Sequence, residues 1–136
     1  MVAPKSNDRA EMLARDGGRC VSCGATTALE AQHRGAVGMG GSKVAPRLDE
    51  LLTACAPDNA AYEGALQRVA LLNGWKVRRW VVEQGIAYRV PVFYAMDRGW
   101  YLVDREGVRV PISRSRARGL MVEVYGDEYL EWENAA

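Results

Sequence analysis

The stretch that decides the fold holds all three cysteines and the chain's only histidine, between residues 20 and 55. It reads Cys20-Val21-Ser22-Cys23, then Gln32-His33-Arg34, then Gly38-Met39-Gly40-Gly41-Ser42, and finally Cys55-Ala56-Pro57-Asp58-Asn59. A Cys-x2-Cys pair whose partner pair lies further along the chain is typical of zinc sites. In the second pair, Asp58 stands where the second thiol is expected.

These residues predict a structural Zn²⁺ held by Cys20, Cys23, Cys55 and Asp58. Thiolates are ligands that zinc prefers, and a carboxylate can complete a four-ligand site. The alternative is a decayed site in which the thiols are merely buried. The interval from Cys23 to Cys55 exceeds the roughly 15–20 residues of a simple zinc ribbon. The histidine and the glycine-rich stretch therefore lie between the two pairs of metal ligands.

Length and composition limit the class of protein. A chain of 136 residues that is 49% hydrophobic can bury a core. No apolar run approaches the roughly 20 residues of a membrane span, and residues 1–7 are polar and lack a secretory apolar region. Three cysteines cannot all pair as disulfides, so thiols kept for a metal in a reducing cytoplasm are the expectation. We expect a cytoplasmic protein without a membrane segment; its oligomeric state is left open.

Charge is distributed unevenly although the net charge is only +1. Residues 119–136 carry five acidic residues and no lysine or arginine, which leaves 18 basic and 12 acidic residues elsewhere. A basic body with an acidic tail is typical of a protein that contacts nucleic acid while the tail screens part of its charge. An ordinary solvated surface with an acidic end would carry the same pattern.

The first half of the chain predicts a helix, two strands and a second helix. A helix begins near Asp8 and stops at Gly17-Gly18, and strands are expected over residues 28–33 and 48–54, on either side of a glycine-rich loop at residues 35–46. Apolar residues recur with helical spacing at Tyr62, Leu66, Val69 and Leu72. Asp58 or Asn59 can cap this helix, and Gly74 is expected just after its end.

The second half predicts short strands. Residues 75–82, 88–94, 100–103 and 108–112 are rich in β-branched and aromatic residues and are separated by turn residues. Residues 114–118 carry arginines at alternate positions of an extended segment, and residues 120–132 are expected to form a strand followed by a short helix. The predicted fold class is α+β, with a zinc module at residues 8–80 and a β-rich C-terminal part with the acidic tail at residues 81–136.

The ordered set of motifs over residues 12–80 resembles the HNH endonucleases, in particular the small versions found in phages of actinobacteria. The resemblance covers about half of the chain. It rests on the following motifs: Arg15-Asp16, Cys20-x2-Cys23-Gly24, His33-Arg34, Gly38-Met39-Gly40-Gly41-Ser42, Cys55-x2-Asp58-Asn59 and Gly74-Trp75-Lys76-Val77.

The resemblance implies a ββα-metal fold and hydrolysis of DNA phosphodiesters. In that family a histidine activates water, and a divalent ion such as Mg²⁺ or Mn²⁺ stabilises the charge on phosphorus and on the leaving oxygen. By position, His33 matches the general base and Asn59 the last residue of the motif. Gln32 falls where the family has a metal ligand, and Glu50 lies near the position of the residue that orients the base.

The ligand set departs from the family in ways that matter chemically. Gln32 and Asn59 are neutral, whereas a hard divalent ion prefers carboxylate or imidazole ligands. Glu50 or Glu63 could supply the missing carboxylate. Because the chain has no second histidine, no other imidazole can help.

Five basic residues are predicted to contact DNA phosphates. Arg34 and Lys43 flank the glycine-rich loop, whose backbone N–H groups could approach a phosphate closely. On a strand, Lys76 and Arg78 would share one face with Trp80, beside Arg79. A solvated sheet face with Trp80 as core cover is the alternative.

Two classes of function follow. The first is a metal-dependent, HNH-like DNA endonuclease of weak activity. The second is a non-catalytic protein of the same fold that binds DNA or a host protein and so alters a host process. His33 favours the first class, and the neutral ligand positions favour the second.

Overall fold

The computed structural model describes residues 3–35 and 44–135 of the chain. The predicted glycine-rich loop and Lys43 lie largely outside the described residues, in residues 36–43. The elements in chain order are helix α1 (Ser6–Arg15), strand β1 (Leu29–His33), a 3-10 turn (Leu48–Glu50), β2 (Leu51–Cys55), α2 (Ala56–Ala61), α3 (Gln67–Leu72), α4 (Arg79–Glu83), a second 3-10 turn (Ala87–Arg89), β3 (Val92–Tyr94), β4 (Gly99–Val103), β5 (Arg109–Ile112), α5 (Arg114–Tyr125) and α6 (Asp127–Ala135).

Two small antiparallel sheets confirm the α+β class. β1 pairs with β2 in a register that sets Leu29 opposite Cys55 and His33 opposite Leu51. The second sheet has the order β3-β4-β5, with both pairs antiparallel. All five residues of β2 are buried, so this strand lies at the centre of the fold. None of the helices in the described residues is long and apolar enough to cross a membrane.

The core joins the two halves of the chain. One hydrophobic cluster combines Leu52 and Trp75 with Val92 and Val103 of the second sheet. Another combines Val81 and Val90 with the C-terminal helices, through residues such as Met121. The first cluster contains side chains from both predicted parts, residues 8–80 and 81–136, and the second does so through Val77.

A buried ion pair fastens helix α1 to this core. The Arg15 guanidinium binds both carboxylate oxygens of Asp16 and donates to the carbonyl oxygens of Leu48 and Leu51, the latter at 2.7 Å. Asp16 in turn accepts from the Thr53 N–H at 2.9 Å and from the Tyr94 hydroxyl at 2.6 Å. The Arg15-Asp16 motif of the sequence thus connects α1, β2 and β3.

The predicted single helix after Cys55 is in fact two helices. α2 ends at Ala61, and turns separate it from α3. Tyr62 of the predicted apolar face is fully buried, but Val69 is 42% exposed. Gly74 follows the end of α3 with φ of 72°, as predicted for a residue that ends a helix.

The predicted strand over residues 75–82 is wrong, because a helix forms there. Residues 79–83 are helix α4, and only Val77 makes an isolated bridge, to Gly35. Val77 precedes this helix, and Val81 is the residue that the helix buries. Arg79 also pairs with Glu83 at 3.0 Å, one turn later. Lys76, Arg78 and Trp80 therefore do not form one face of a strand.

The prediction of a β-rich C-terminal part is correct only for the second sheet. Residues 114–125 form helix α5 rather than an extended segment, and its buried residues Ala117, Leu120, Met121 and Tyr125 follow helical spacing. The Ser113 side chain caps this helix by accepting from the Arg116 N–H. Gly126, with φ of 60°, separates α5 from α6.

Candidate functional site

The four predicted metal ligands come together at the junction of β2 and α2. One ligand atom from each of Cys20, Cys23, Cys55 and Asp58 lies within 4.8 Å of every other. Cys20 and Cys23 sit in a turn closed by the bond from the Gly24 N–H to the Cys20 carbonyl, at 2.9 Å. Cys55 ends β2, and Asp58 lies in the first turn of α2.

The distances fit a tetrahedral metal ion. Zn–S bonds of about 2.3 Å place two sulfurs about 3.8 Å apart around a tetrahedral ion. The sulfurs of Cys23 and Cys55 are 3.7 Å apart, and Cys20 Sγ lies 3.6 Å from Asp58 Oδ2. The cysteines are not joined by disulfides. These four side chains therefore lie close enough to bind a metal ion, and three sulfurs with one oxygen suit zinc.

Hydrogen bonds prepare two of the ligands for metal binding. The Ser22 hydroxyl donates to Asp58 Oδ2 at 2.6 Å and holds the pKa of that carboxyl below its usual value. Burial opposes ionisation of Cys20, but hydrogen bonding around its sulfur, including backbone N–H groups of the turn, outweighs it and lowers the pKa of that thiol. Burial raises the pKa of the Cys55 thiol, so Cys55 needs the charge of a metal to ionise.

An open cleft of about 520 Å³ lies along β1 and includes Asn59, the residue after Asp58. It is lined by His33 and Asn59, the two predicted catalytic residues, together with Glu30 and Arg9. Asn59 Nδ2 donates to Glu30 Oε1 at 2.8 Å. Burial, and the nearby ammonium group of Lys76, lower the pKa of His33 below its usual value. His33 is therefore a neutral imidazole at neutral pH.

Gln32, in contrast, does not face this cleft. Its side chain is fully buried, and Nε2 donates to the Trp75 carbonyl at 2.9 Å. Buried and bonded in this way, the Gln32 side chain is not available to a ligand in the cleft. The two carboxylates that could replace Gln32 as ligands of a catalytic ion make other contacts. Glu50 binds Arg47, and Glu63 binds Lys76 at 2.7 Å.

The predicted phosphate-binding residues do not form one surface. Arg34 is fully buried, and its guanidinium donates four bonds to backbone carbonyls. Lys76 is also buried and donates to the His33 carbonyl. Neither is accessible to a phosphate. Arg78 pairs with Glu128 at 3.0 Å, and Arg79, the most exposed of the four described residues, pairs with Glu83.

Three residues at the site were missed by sequence reasoning. Ser22 and Tyr62 bond to each other and so extend the hydrogen bonding of Asp58. A signal existed for Tyr62, which lies four residues after Asp58 and so one helical turn away. Glu30 had no such signal, because only folding brings it to Asn59, 29 residues later.

Comparisons with known proteins found no relative. No protein-family model, no curated protein and no solved structure matches the chain.

Proposed function

We propose that the chain is an HNH-like, metal-dependent DNA endonuclease of low activity, built on a structural zinc held by Cys20, Cys23, Cys55 and Asp58. The observation that carries this proposal is the cleft that His33 lines together with the hydrogen-bonded pair Glu30 and Asn59. In this proposal β1, β2 and α2 form the ββα-metal unit, because Cys55 leads directly from β2 into α2.

Zinc would support the fold rather than the chemistry. Helix α2 has six residues and none of them is buried, so apolar packing does little to hold it. Cys55, just before α2, and Asp58, in its first turn, would bind the same ion as Cys20 and Cys23 and so fix α2 to the cysteine turn. Binding energy of this kind adds directly to the stability of a small metal domain.

His33 would act as the general base on water in the cleft. A lowered pKa keeps its imidazole neutral at neutral pH and able to accept a proton. The Lys76 ammonium donates to the His33 backbone carbonyl at 2.8 Å and fixes the end of β1. Activity should accordingly be level between pH 7 and 8 and fall in acid, as pH decreases through the lowered pKa and His33 gains a proton.

Glu30 and Asn59 would hold a divalent ion. Their mutual bond uses one carboxylate oxygen and the amide nitrogen, so the second Glu30 oxygen and the Asn59 amide oxygen remain for a cation. Both are hard ligands of the kind that Mg²⁺ and Mn²⁺ take. Such an ion supplies positive charge for the phosphate and the leaving oxygen. A single carboxylate is a small ligand set, which is why we propose low activity.

The test is nicking of supercoiled plasmid with Mg²⁺ or Mn²⁺. His33→Ala should reduce the rate by about 10²–10⁴-fold, the usual contribution of a general base. Glu30→Gln should weaken the dependence on metal concentration. The matched control is Glu106→Gln, which changes an exposed carboxylate in a turn that does not line the cleft. Equal nicking by the parent and His33→Ala would contradict the proposal.

A non-catalytic binding protein of the same fold is the second candidate, and the burial of Gln32 favours it. The position from which the resemblance expects a metal ligand faces the core instead. If the zinc-loaded protein folds and binds DNA or a host protein but does not nick plasmid, this candidate replaces the first.

A further inference from the structure

The side chains of Ser22 and Tyr62 form a chain of hydrogen bonds that ends at Asp58, the oxygen ligand of the proposed metal site. Tyr62 is fully buried, and its ring stacks on Trp75 with the ring centres 5.7 Å apart. The core therefore fixes the position of the Tyr62 hydroxyl. That hydroxyl contacts the Ser22 hydroxyl, which lies 2.6 Å from Asp58 Oδ2.

The chemistry of the three groups sets the direction of both hydrogen bonds. An ionised carboxylate only accepts, so the single hydrogen of Ser22 goes to Asp58. The Ser22 oxygen must then accept from Tyr62. Since Ser22 lies between Cys20 and Cys23, the chain of bonds connects the core to the cysteine turn and from there to α2.

We propose that Tyr62 and Ser22 are positioning residues that hold Asp58 as the oxygen ligand of the metal site and thereby favour zinc over softer ions such as Cd²⁺. The inference rests on the metal part of the proposed function and is independent of nuclease activity.

The spacing explains why position 58 carries oxygen rather than sulfur. A hydroxyl 2.6 Å from Asp58 Oδ2 matches a bond between two oxygens, whereas sulfur is a weak and larger acceptor that would not fit at this distance. An oxygen ligand makes the site harder than four thiolates would. Groups that orient metal ligands in this way typically change metal affinity about 10–100-fold when they are removed.

The experiment compares metal binding by the full chain and its variants. Zinc and cadmium affinities are measured by competition with a chromophoric chelator, and the Co²⁺-loaded protein is examined by absorption spectroscopy. Ser22→Ala and Tyr62→Phe should lower zinc affinity about 10–100-fold. Cadmium affinity should fall less, because its main ligands are the unchanged sulfurs.

The cobalt spectrum separates positioning from general stability. Thiolate-to-cobalt charge-transfer bands should persist in both variants, while the d–d bands should shift as the oxygen ligand is lost or replaced by water. Ser22→Thr, which keeps a hydroxyl, should restore the parental spectrum. The control is Tyr94→Phe, which also removes a buried tyrosine-to-carboxylate bond, here to Asp16, and should leave the spectrum unchanged.

Tyr62→Phe is the decisive variant because it keeps the ring that stacks on Trp75 and so preserves the core. Unchanged zinc affinity and an unchanged cobalt spectrum in this variant and in Ser22→Ala would overturn the inference, while the metal site itself would stand. A parent protein that binds neither zinc nor cobalt would overturn the inference together with the metal part of the proposed function.

Discussion

The side chain of Arg34 joins separate backbone segments from inside the core. Its four hydrogen bonds reach the carbonyl oxygens of Asp49, Gly74, Ala87 and Val90, at 2.8–3.1 Å. Burial lowers the pKa of Arg34 to about 10, which leaves the guanidinium charged at neutral pH. The sequence predicts that this arginine binds phosphate because it flanks the glycine-rich loop. The position of a basic residue beside a loop does not reveal whether its side chain points to solvent or into the core.

We expect Arg34→Met to destabilise the protein strongly. Methionine fills much of the same volume but removes the arginine donor from four carbonyls. The Ala87 carbonyl keeps the Val90 N–H, and each buried carbonyl left unsatisfied costs about 1–3 kcal/mol. The free energy of unfolding in urea should fall by at least about 3 kcal/mol. Arg79→Met removes an exposed guanidinium and should change it by no more than about 0.5 kcal/mol. Similar unfolding midpoints for the two variants would show that Arg34 is not the structural link described here.

Among the helices, α2 is the one that a metal bound by Cys20, Cys23, Cys55 and Asp58 would stabilise most. An isolated helix of six residues is unstable in water, and α2 has no buried residue to hold it in place. Its N-terminal neighbour Cys55 and its own Asp58 are both in the cluster. The long helix α5 instead buries four residues in the core.

Chelation of the metal should therefore loosen α2 before α5. In hydrogen exchange followed by mass spectrometry, peptides covering residues 55–62 should lose protection after treatment with a zinc chelator. Peptides covering residues 114–125 should keep most of their protection. Equal exchange of both segments before and after chelation would mean that the cluster does not hold the helix.

Two glycines, one just after a helix and one inside a helix, should respond in opposite ways to substitution by alanine. Gly74 follows α3 with positive φ, and a Cβ there would lie 1.8 Å from the Pro91 carbonyl oxygen. Gly119 lies inside α5 with nothing within 4 Å of its would-be Cβ. Thermal unfolding should show that Gly119→Ala stabilises the protein by about 0.5–1 kcal/mol. Gly74→Ala should destabilise it by at least about 2 kcal/mol, and a mild effect there would contradict the close approach of β3.

The elements that sequence predicted well are those with strong local signals. The cysteine turn, β1, β2 and the end of α3 follow from motif spacing and from glycines that stop helices. The sequence predicts a strand over residues 75–82, which are rich in valine and tryptophan, and extended structure over residues 114–124, where arginines and then apolar residues alternate. Strand propensity depends on context: residues 79–83 form a short helix, and in α5 the burial of residues three or four apart prevails. The cluster was predictable from spacing, whereas the Glu30–Asn59 contact depends on the tertiary fold.

At the scale of the whole molecule, the acidic C-terminus neutralises part of the basic body through direct contacts. Glu123, Glu128 and Glu133 pair with Arg89, Arg78 and Arg118, at 3.9, 3.0 and 2.9 Å. The sequence indicated screening by a tail, and the structure places these acids on two helices packed against the body. DNA phosphates would therefore have to compete with these intramolecular ion pairs for the arginine side chains.

Removing one of these acids should strengthen DNA binding. Glu128→Gln frees Arg78, and the slope of log affinity against log salt should steepen by about 0.9 if Arg78 then neutralises one duplex phosphate. Glu131→Gln removes an exposed acid that has no ion pair among the described residues, so it controls for net charge alone. Fluorescence anisotropy with duplex DNA at several salt concentrations measures both. Identical slopes for the two variants would show that Arg78 does not contact DNA phosphates.

The exposed position of Cys23 has a practical consequence for handling the protein. Its sulfur lies 3.7 Å from that of Cys55, and a covalent S–S bond needs only about 2.05 Å. In metal-free protein exposed to air, these two thiols are the pair placed to oxidise, and the product would no longer take up zinc. Samples purified with strong chelators and without reductant would then give a false low metal content. Metal analysis should therefore begin with protein kept reduced from cell lysis onward, and with a free-thiol count made on the same sample.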